Sequence, residues 1–255
     1  SQLNALVTLT RTGGEHLRRR MRLDASRVHV IAHGNSIIPA APLPPLKPLK
    51  LLYFGFIYRG KGIEALLQAL AVMLQDAPAL AGACRLTLAG GSAPEMTFGP
   101  GGSYIDELRG RISELGLGAL IDWALDVPAE QIPGLIQSHH VMLLPYRESK
   151  KLALLGAMRG TSGALSWAAA CGRGAITSDA RAFAEEVAAG NGAIFPQGDT
   201  IALAKHLREL CERPALAQIW ADNAEQVGLA RQWPLTAEHF FHLFTALCRG
   251  TSDVA

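Results

Sequence analysis

Residues 159–179 read RGTSGALSWAAACGRGAITSD, a loop of small residues followed by a helix pattern, a glycine stop and a short strand. The Ala- and Leu-rich run after the loop at 160–163 has high helix propensity. Gly172 occupies the position where a residue with left-handed backbone conformation would end that helix. Residues 175–177 then suit a short buried strand. The start of a helix binds anions well, because its first N–H groups lack partners and its dipole favours negative charge. The stretch suggests a phosphate site, although an ordinary loop–helix–strand connection in an α/β sheet fits the same residues.

Short apolar strands alternate with helix patterns along most of the chain. The predicted strands of this region lie at 49–54, 85–89, 120–123, 141–144, 175–177 and 193–195. This alternation is typical of an α/β fold with a Rossmann-like, doubly wound parallel sheet. Ligands bind such sheets off the carboxyl ends of the strands, where the strand order reverses. We therefore expect one cleft to be formed by the loops that follow strands, at 55–62, 90–102, 145–163 and 177–185.

A proline-rich segment divides the chain. Residues 39–48, PAAPLPPLKP, contain five prolines and predict a stiff, extended hinge. Before the hinge, residues 1–38 contain strand patterns on both sides of a helix predicted at 15–21. Beyond the hinge, we expect the α/β domain at 49–230 and a final helix and tail at 231–255.

The composition of the chain indicates a globular protein and argues against several other classes. The chain has 255 residues, of which 49% are hydrophobic and 18% charged, as in ordinary globular domains. A net charge of +2 gives no strong electrostatic case for a nucleic-acid partner, and we expect none. No apolar run reaches the roughly 18 residues of a membrane span, and the first residues do not resemble a signal peptide. We expect a cytoplasmic protein, with peripheral contact at the inner face of a membrane as an open alternative.

The cysteines and histidines do not follow metal-binding patterns. The four cysteines, Cys84, Cys171, Cys211 and Cys248, have no regular spacing, which favours buried free thiols in a reducing compartment. His139 and His140 are adjacent, but no third ligand with suitable spacing accompanies them or the pair His239 and His242. We expect no metal site.

In their order, the motifs resemble the C-terminal, donor-binding half of a GT-B glycosyltransferase of retaining family 4, the glycosyl transferases group 1. The segments that carry the resemblance are RVHVIAHGN, LKLLYFGFIYRGKGIEALLQAL, CRLTLAGG, VPAEQIPGLIQSHHVMLLPY, SGALSWAAACGRGAITSD, AEEVAAGNGAIFPQGD and a late Trp233 before an aromatic helix. The resemblance covers residues 1–247. It implies transfer of a hexose, with retention, from a nucleotide-diphosphate sugar such as a UDP- or GDP-sugar, without a metal or other cofactor.

The resemblance also implies a missing partner. Residues 1–38 match only the end of the family's N-terminal domain, which binds the acceptor, so activity would require that domain or a separate chain carrying it. A glycan, a lipid-linked molecule or a small molecule fits as acceptor. The final helix, predicted at 236–247, would pack on that domain through Phe240, Phe241, Leu243 and Phe244.

The first group of implied site residues follows the first strand of the α/β domain. Lys61 matches the family lysine that binds the donor diphosphate, and we assign it a catalytic role because an ammonium neutralises leaving-group charge. Gly55, at the end of the strand, belongs to the same donor-binding loop. The family often has arginine directly after this glycine, but Phe56 occupies that position here, and Arg59 is the candidate replacement.

The second group lies around the phosphate-binding helix. The family commonly has two glutamates there, and Arg159 and Trp167 occupy their positions in this chain. Ser162 and Gly163 match a Ser-Gly-x-Leu variant, which implies that they contact the diphosphate. Glu185 aligns with a glutamate that contacts the sugar or ribose, with an uncertainty of one position, and we assign it a catalytic and donor-binding role.

Two other functions remain open. The absence of both glutamates is compatible with a non-catalytic GT-B-like domain that serves as a binding partner or scaffold. An epimerase of the same GT-B architecture is a further alternative. Analysis of the products formed from a UDP-sugar would distinguish an epimerase from a glycosyltransferase.

Overall fold

The structure is a computed structural model that describes residues 4–91, 98–99, 102–148 and 160–250. The strands are β1 (Leu6–Thr8), β2 (Val28–Val30), β3 (Leu49–Phe54), β4 (Cys84–Gly90), β5 (Phe98–Gly99), β6 (Gly102–Ser103), β7 (Ile121–Leu125), β8 (Val141–Leu144), β9 (Gly174–Ser178) and β10 (Gly192–Phe195). The helices are α1 (Arg11–Met21), α2 (Ile63–Asp76), α3 (Tyr104–Glu114), α4 (Ile132–Gln137), α5 (Gly163–Ala170), α6 (Phe183–Glu186), α7 (Thr200–Glu212), α8 (Leu216–Leu229) and α9 (Trp233–Gly250).

The central sheet has six parallel strands in the order β10, β9, β8, β3, β4, β7. The chain runs from β3 outward to β4 and β7, then returns to the other side of β3 and continues through β8, β9 and β10. This order is that of a doubly wound Rossmann-like sheet, so the predicted fold class is confirmed. The strand order reverses between β3 and β8, which makes the carboxyl end of that strand pair the expected binding crevice.

The two strands at the reversal form the centre of the core. Leu51, Leu52 and Tyr53 of β3 are fully buried, and all of Val141–Leu144 is buried. Continuous apolar strands are expected where a parallel sheet is covered on both faces. Helix α2 buries Ile63, Leu66, Leu67 and Leu70 on one face and packs against α7.

Two helices differ from the predicted bounds. Helix α1 begins at Arg11 rather than at residue 15, because the Thr10 side chain accepts a 3.0 Å hydrogen bond from Gly13 N and caps the helix. Gly13 and Gly14 therefore lie in its first turn. Helix α9 begins at Trp233 and ends at Gly250, so it is longer than predicted at both ends, and residues 251–255 of the predicted tail lie outside the described residues.

The proline-rich segment is packed against the larger unit rather than free. Ile38, Leu43 and Leu46 contact the hydrophobic core. The Nδ1 atom of His140 accepts a hydrogen bond from Lys50 N, so the ring proton is on Nε2. This Nε2–H group donates to Pro44 O at 3.1 Å. Residues 39–48 are thus fastened along their length, whereas the division of the chain into domains stays a prediction.

A buried arginine, Arg173, does most of this fastening. Only 3% of the residue is exposed, and burial lowers the pKa of its guanidinium. It donates hydrogen bonds of 2.6–3.1 Å to six carbonyl oxygens, those of Ala41, Pro42, Gln137, His139, Cys171 and Gly172. These carbonyls belong to the proline-rich segment, the end of α4 and the end of α5, so one side chain joins three parts of the fold.

The histidines and cysteines have structural surroundings. His139 bonds Thr87 Oγ1 through Nε2 and Leu135 O through Nδ1, both at 2.7 Å, and burial lowers the pKa of its imidazole. In the described ranges, no three potential metal-ligating side chains form a group. None of the four cysteines, all of which are in the described residues, forms a disulfide; Cys84 and Cys171 are buried as expected, but Cys248 is exposed on α9, so the expectation of burial is wrong there. Among the described helices, none is both long enough and apolar enough to cross a bilayer.

Replacing Arg173 with methionine tests the fastening. We expect R173M to lower the free energy of unfolding by about 3 kcal/mol or more, because hydrogen bonds to a charged group are lost and buried carbonyls are left unpaired. The matched control is R208M, which removes an exposed arginine paired with Glu212 on α7 and should cost less than about 1 kcal/mol. Urea denaturation measures both, and equal losses would contradict the role assigned to Arg173.

Candidate functional site

An open cleft of about 550 Å³ lies at the reversal point of the sheet. It is lined by Phe54, Gly55, Phe56, Lys61, Gly90, Gly91, Asp126, Val127, Ile132, Tyr146, Ser162, Gly163, Ala164 and Trp167. The loops after β3, β4 and β8 therefore converge as predicted. The loop after β9, at 177–185, does not line the cleft, so this part of the prediction is wrong.

Two glycine contacts bring these loops together. Gly62 begins α2 with φ +74°, and a Cβ atom on it would lie 1.8 Å from Pro145 O, just beyond β8. Gly90 has φ +143°, and a Cβ atom there would lie 1.8 Å from Gly55 O. Only glycine allows both the left-handed backbone and this closeness. The ends of β3, β4 and β8 are consequently held edge to edge around the cleft.

Among the described residues that line the cleft, Lys61 supplies the positive side chain. The residue is 9% exposed, and its Nζ lies 3.8 Å from the ring centroid of Tyr146 and 5.1 Å from that of Tyr58. Ammonium groups are attracted to aromatic faces at these distances. The ammonium is therefore held at the cleft wall by two aromatic rings, in the place predicted for a diphosphate-binding lysine.

Helix α5 begins at the same cleft, and Ser162, Gly163 and Ala164 of its first turn line it. Ser162 occupies the N-cap position, but its side chain does not cap the helix; its hydroxyl instead lies 3.2 Å from the Tyr146 hydroxyl. The first N–H groups of a helix have no partners within the helix, and the dipole adds positive potential there. Gly172, with φ +61°, follows the helix as predicted. A lysine and a helix start thus share one cleft, which suits a bound anion.

Tyr146 joins these two features and was not predicted as a site residue. Its ring contacts Phe183 at a centroid distance of 5.4 Å, and only 4% of the residue is exposed. Burial raises the pKa of the phenol, despite the opposing effects of the Ser162 hydrogen bond and the nearby Arg181. The phenol therefore stays neutral and presents its face to Lys61. Its position directly after Pro145, which ends the central strand β8, was the available signal.

Arg59 lies outside the cleft. Its guanidinium pairs with Glu107 of α3 and stands 5.3 Å from the ring centroid of Tyr104. Phe56, which stands at the position of the family arginine, is mostly exposed on the cleft rim. The proposed substitution by Arg59 is not supported by this placement.

Glu185 also points elsewhere. Its carboxylate accepts hydrogen bonds from Arg11 N at 2.8 Å and from Thr12 N and Oγ1, each at 2.9 Å. Partial burial raises the pKa of this carboxyl, but the hydrogen bonds and the charge of Arg11 together hold it below its ordinary value. The adjacent Glu186 is paired with Arg231. Contact of either glutamate with a donor stays a prediction, and the described geometry gives it no support.

The remaining wall of the cleft is largely apolar. Val127, Ile132 and Trp167 line it, and Trp167 lies four residues after Gly163 on the same face of α5. Asp126, with φ +51°, is the carboxylate that lines the cleft in the described part of the chain, and sequence reasoning missed it. Arg159, at the first glutamate position of the family, lies outside the described residues.

Substituting Gly62 tests the contact that shapes the cleft. Gly82 is a matched control, because its φ of +85° is also left-handed but a Cβ atom there meets nothing within 4 Å. We expect G62A to lose about 1–3 kcal/mol more stability than G82A, since the backbone strain is shared and only G62A forces overlap with Pro145. Urea denaturation compares them, and losses of the same size would show that the close contact is not needed.

A family model matches most of the sequence. Residues 35–227 match the family model described as glycosyl transferases group 1, which covers more than half of the chain. The chain therefore belongs to the glycosyl transferases group 1 family. No curated protein sequence is similar enough to this chain to count as a match.

Solved structures share the fold. Sucrose-phosphate synthase from Thermosynechococcus elongatus has a TM-score of 0.76 and 22% identity over 97% of this chain and 60% of its own. Anabaena HepE in complex with UDP has a TM-score of 0.76 and 17% identity over 95% of this chain and 64% of its own. A glycosyltransferase from Rickettsia africae has a TM-score of 0.75 and 13% identity over 96% of this chain and 64% of its own. The chain spans less than two thirds of the length of each of these proteins.

Proposed function

We propose that this chain is the donor-binding half of a retaining glycosyltransferase and binds a nucleotide-diphosphate sugar in the cleft between β3 and β8. The observation that carries the proposal is the joint presence of the Lys61 ammonium and the start of α5 at one cleft, at the reversal point of the sheet. Family membership and the UDP-glucose complex of Anabaena HepE support a nucleotide sugar as the ligand class.

The proposed chemistry is stabilisation of a leaving diphosphate. When the bond between the sugar and the phosphate oxygen breaks, negative charge develops on the diphosphate. Lys61 neutralises that charge, and the N–H groups of Gly163 and Ala164 donate hydrogen bonds to the phosphate oxygens. The flat apolar surface of Trp167, one turn further along α5, suits the nucleoside.

Retention follows, in this proposal, from attack on the face that the diphosphate leaves. The acceptor hydroxyl forms its bond to the sugar carbon while its proton passes to an oxygen of the departing diphosphate. No protein carboxylate then bonds to the sugar, which fits a cleft whose only carboxylate in the described residues is the exposed Asp126. A hexose is the sugar class that the resemblance implies.

The acceptor is proposed to bind on a domain outside this sequence. Helix α9 exposes Phe241 and Phe244 to the extent of 67% and 57%. Such exposed aromatic residues in sequence proximity mark a surface that another domain or chain covers. We propose that the N-terminal, acceptor-binding domain packs on this surface and completes the enzyme.

A non-catalytic binding domain is the second candidate, and the observation that favours it is Trp167 in place of a family glutamate. Such a domain would bind a nucleotide sugar without turning it over, or bind none. Turnover of UDP- or GDP-sugars by the completed enzyme distinguishes the two candidates, and product analysis detects an epimerase.

Substitution of Lys61 tests the donor site by calorimetric titration with UDP, GDP, ADP and dTDP and with the matching monophosphates. We expect K61M to weaken binding of the preferred diphosphate by tenfold or more, about 1.4 kcal/mol. The monophosphate should be affected much less, because Lys61 is assigned to the charge of the leaving diphosphate, which a monophosphate carries only in part. K205M, which removes an exposed lysine on α7, is the matched control. Unchanged diphosphate affinity in K61M would refute the assignment.

A further inference from the structure

Glu185 supplies hydrogen-bond acceptors to a helix far from it in the sequence. Helix α1 has no acidic residue in its first turn. The Glu185 carboxylate takes the place of such an acid, although Glu185 lies 173 residues after Thr12 in the sequence. Its Oε1 accepts a hydrogen bond from Arg11 N, and its Oε2 accepts hydrogen bonds from Thr12 N and Thr12 Oγ1. Charge-assisted hydrogen bonds to a helix start are among the stronger surface interactions. Both oxygens therefore accept hydrogen bonds from the first turn of α1.

The segment that carries Glu185 also holds the loop before α5. Ala182 N donates to Gly160 O at 3.4 Å, and Arg181 Nη1 donates to Thr161 O at 3.1 Å. The N-terminal unit, residues 4–31, lies close to the same loop, because the position that a Cβ atom would take on Gly160 is 3.6 Å from Leu9 Cδ1. Residues 181–185 therefore contact the N-terminal unit at one end and the donor loop, residues 160–162, at the other.

We propose that Glu185 is a positioning residue that locks helix α1 against residues 181–185 and so fixes the donor loop relative to the N-terminal unit, residues 4–31. Its partner is α1 and not the donor sugar. The part of this inference that concerns the donor loop rests on the proposed function. In the complete enzyme, the acceptor domain that continues from the N-terminal unit would be held in place over the donor by this lock.

The neighbouring glutamate supports this interpretation. Glu186 is 5% exposed and pairs with Arg231, whose carbonyl accepts a 2.7 Å hydrogen bond from Asn35 N. Asn35 in turn accepts from Trp233 N at 3.0 Å through its own carbonyl. Of the two adjacent acids, Glu185 therefore holds the N-terminal unit at α1, and Glu186 holds Arg231, whose carbonyl bonds the chain just after that unit.

A double-mutant cycle tests the lock. The variants are E185Q, T12V and their combination, with E15Q on the exposed face of α1 as control. Hydrogen–deuterium exchange measures the amides of Arg11 and Thr12, and titration measures affinity for UDP and GDP and for UDP- and GDP-sugars. E185D, which shortens the side chain, serves as a second variant if E185Q folds poorly.

The lock predicts a specific pattern. Exchange at Arg11 and Thr12 should rise by about tenfold in E185Q, corresponding to about 1.4 kcal/mol, and less in T12V. The double variant should show less than the sum of the single effects. If E185Q loses affinity for UDP or GDP, it should lose the same factor for the corresponding UDP- or GDP-sugar. T12V should show part of the same loss. E15Q should leave all of these values unchanged.

Two results would overturn the inference. Unchanged exchange in both E185Q and E185D would show that the lock does not exist. Selective loss of nucleotide-sugar affinity in E185Q with a silent T12V would show that Glu185 touches the sugar. Because K61M reports on the diphosphate separately, the donor site can survive the failure of the lock, and the exchange measurement decides even if no nucleotide binds.

Discussion

The close approach of Gly62 to Pro145 is the constraint on which the site depends. In a doubly wound sheet, the two strands at the reversal point diverge into opposite halves of the chain, and their following loops must still meet to form a site. Here the loop after β3 meets the end of β8 with no room for a Cβ atom. This contact places Lys61 beside Tyr146, and Tyr146 beside Ser162 at the start of α5.

The electrostatic character of the cleft follows from that arrangement. An ammonium group is held against aromatic faces, and a helix start provides further positive potential without a charged side chain of its own. The tyrosine between them is a neutral phenol whose pKa burial raises further, so it adds no opposing charge. Such a site favours a compact anion and leaves the apolar wall at Val127 and Trp167 for the rest of the ligand.

The sequence predicted those features that local pattern determines. The strand–helix alternation gave the sheet, and the small residues before α5 gave its start and the positions of Ser162 and Gly163. Partners that are distant in the sequence left no local pattern. Arg59 pairs with Glu107, 48 residues away, and Glu185 with Thr12, 173 residues away. Arg173 was unremarked because its partners are backbone carbonyls, which any residue supplies.

The measurement that tests the central claim most directly is a crystal structure of this protein grown with UDP or GDP at saturating concentration. The diphosphate is expected at the start of α5, with an oxygen about 3 Å from both Lys61 Nζ and Gly163 N. A diphosphate bound outside the cleft, or a nucleotide in the cleft whose phosphates point away from α5, would contradict the account.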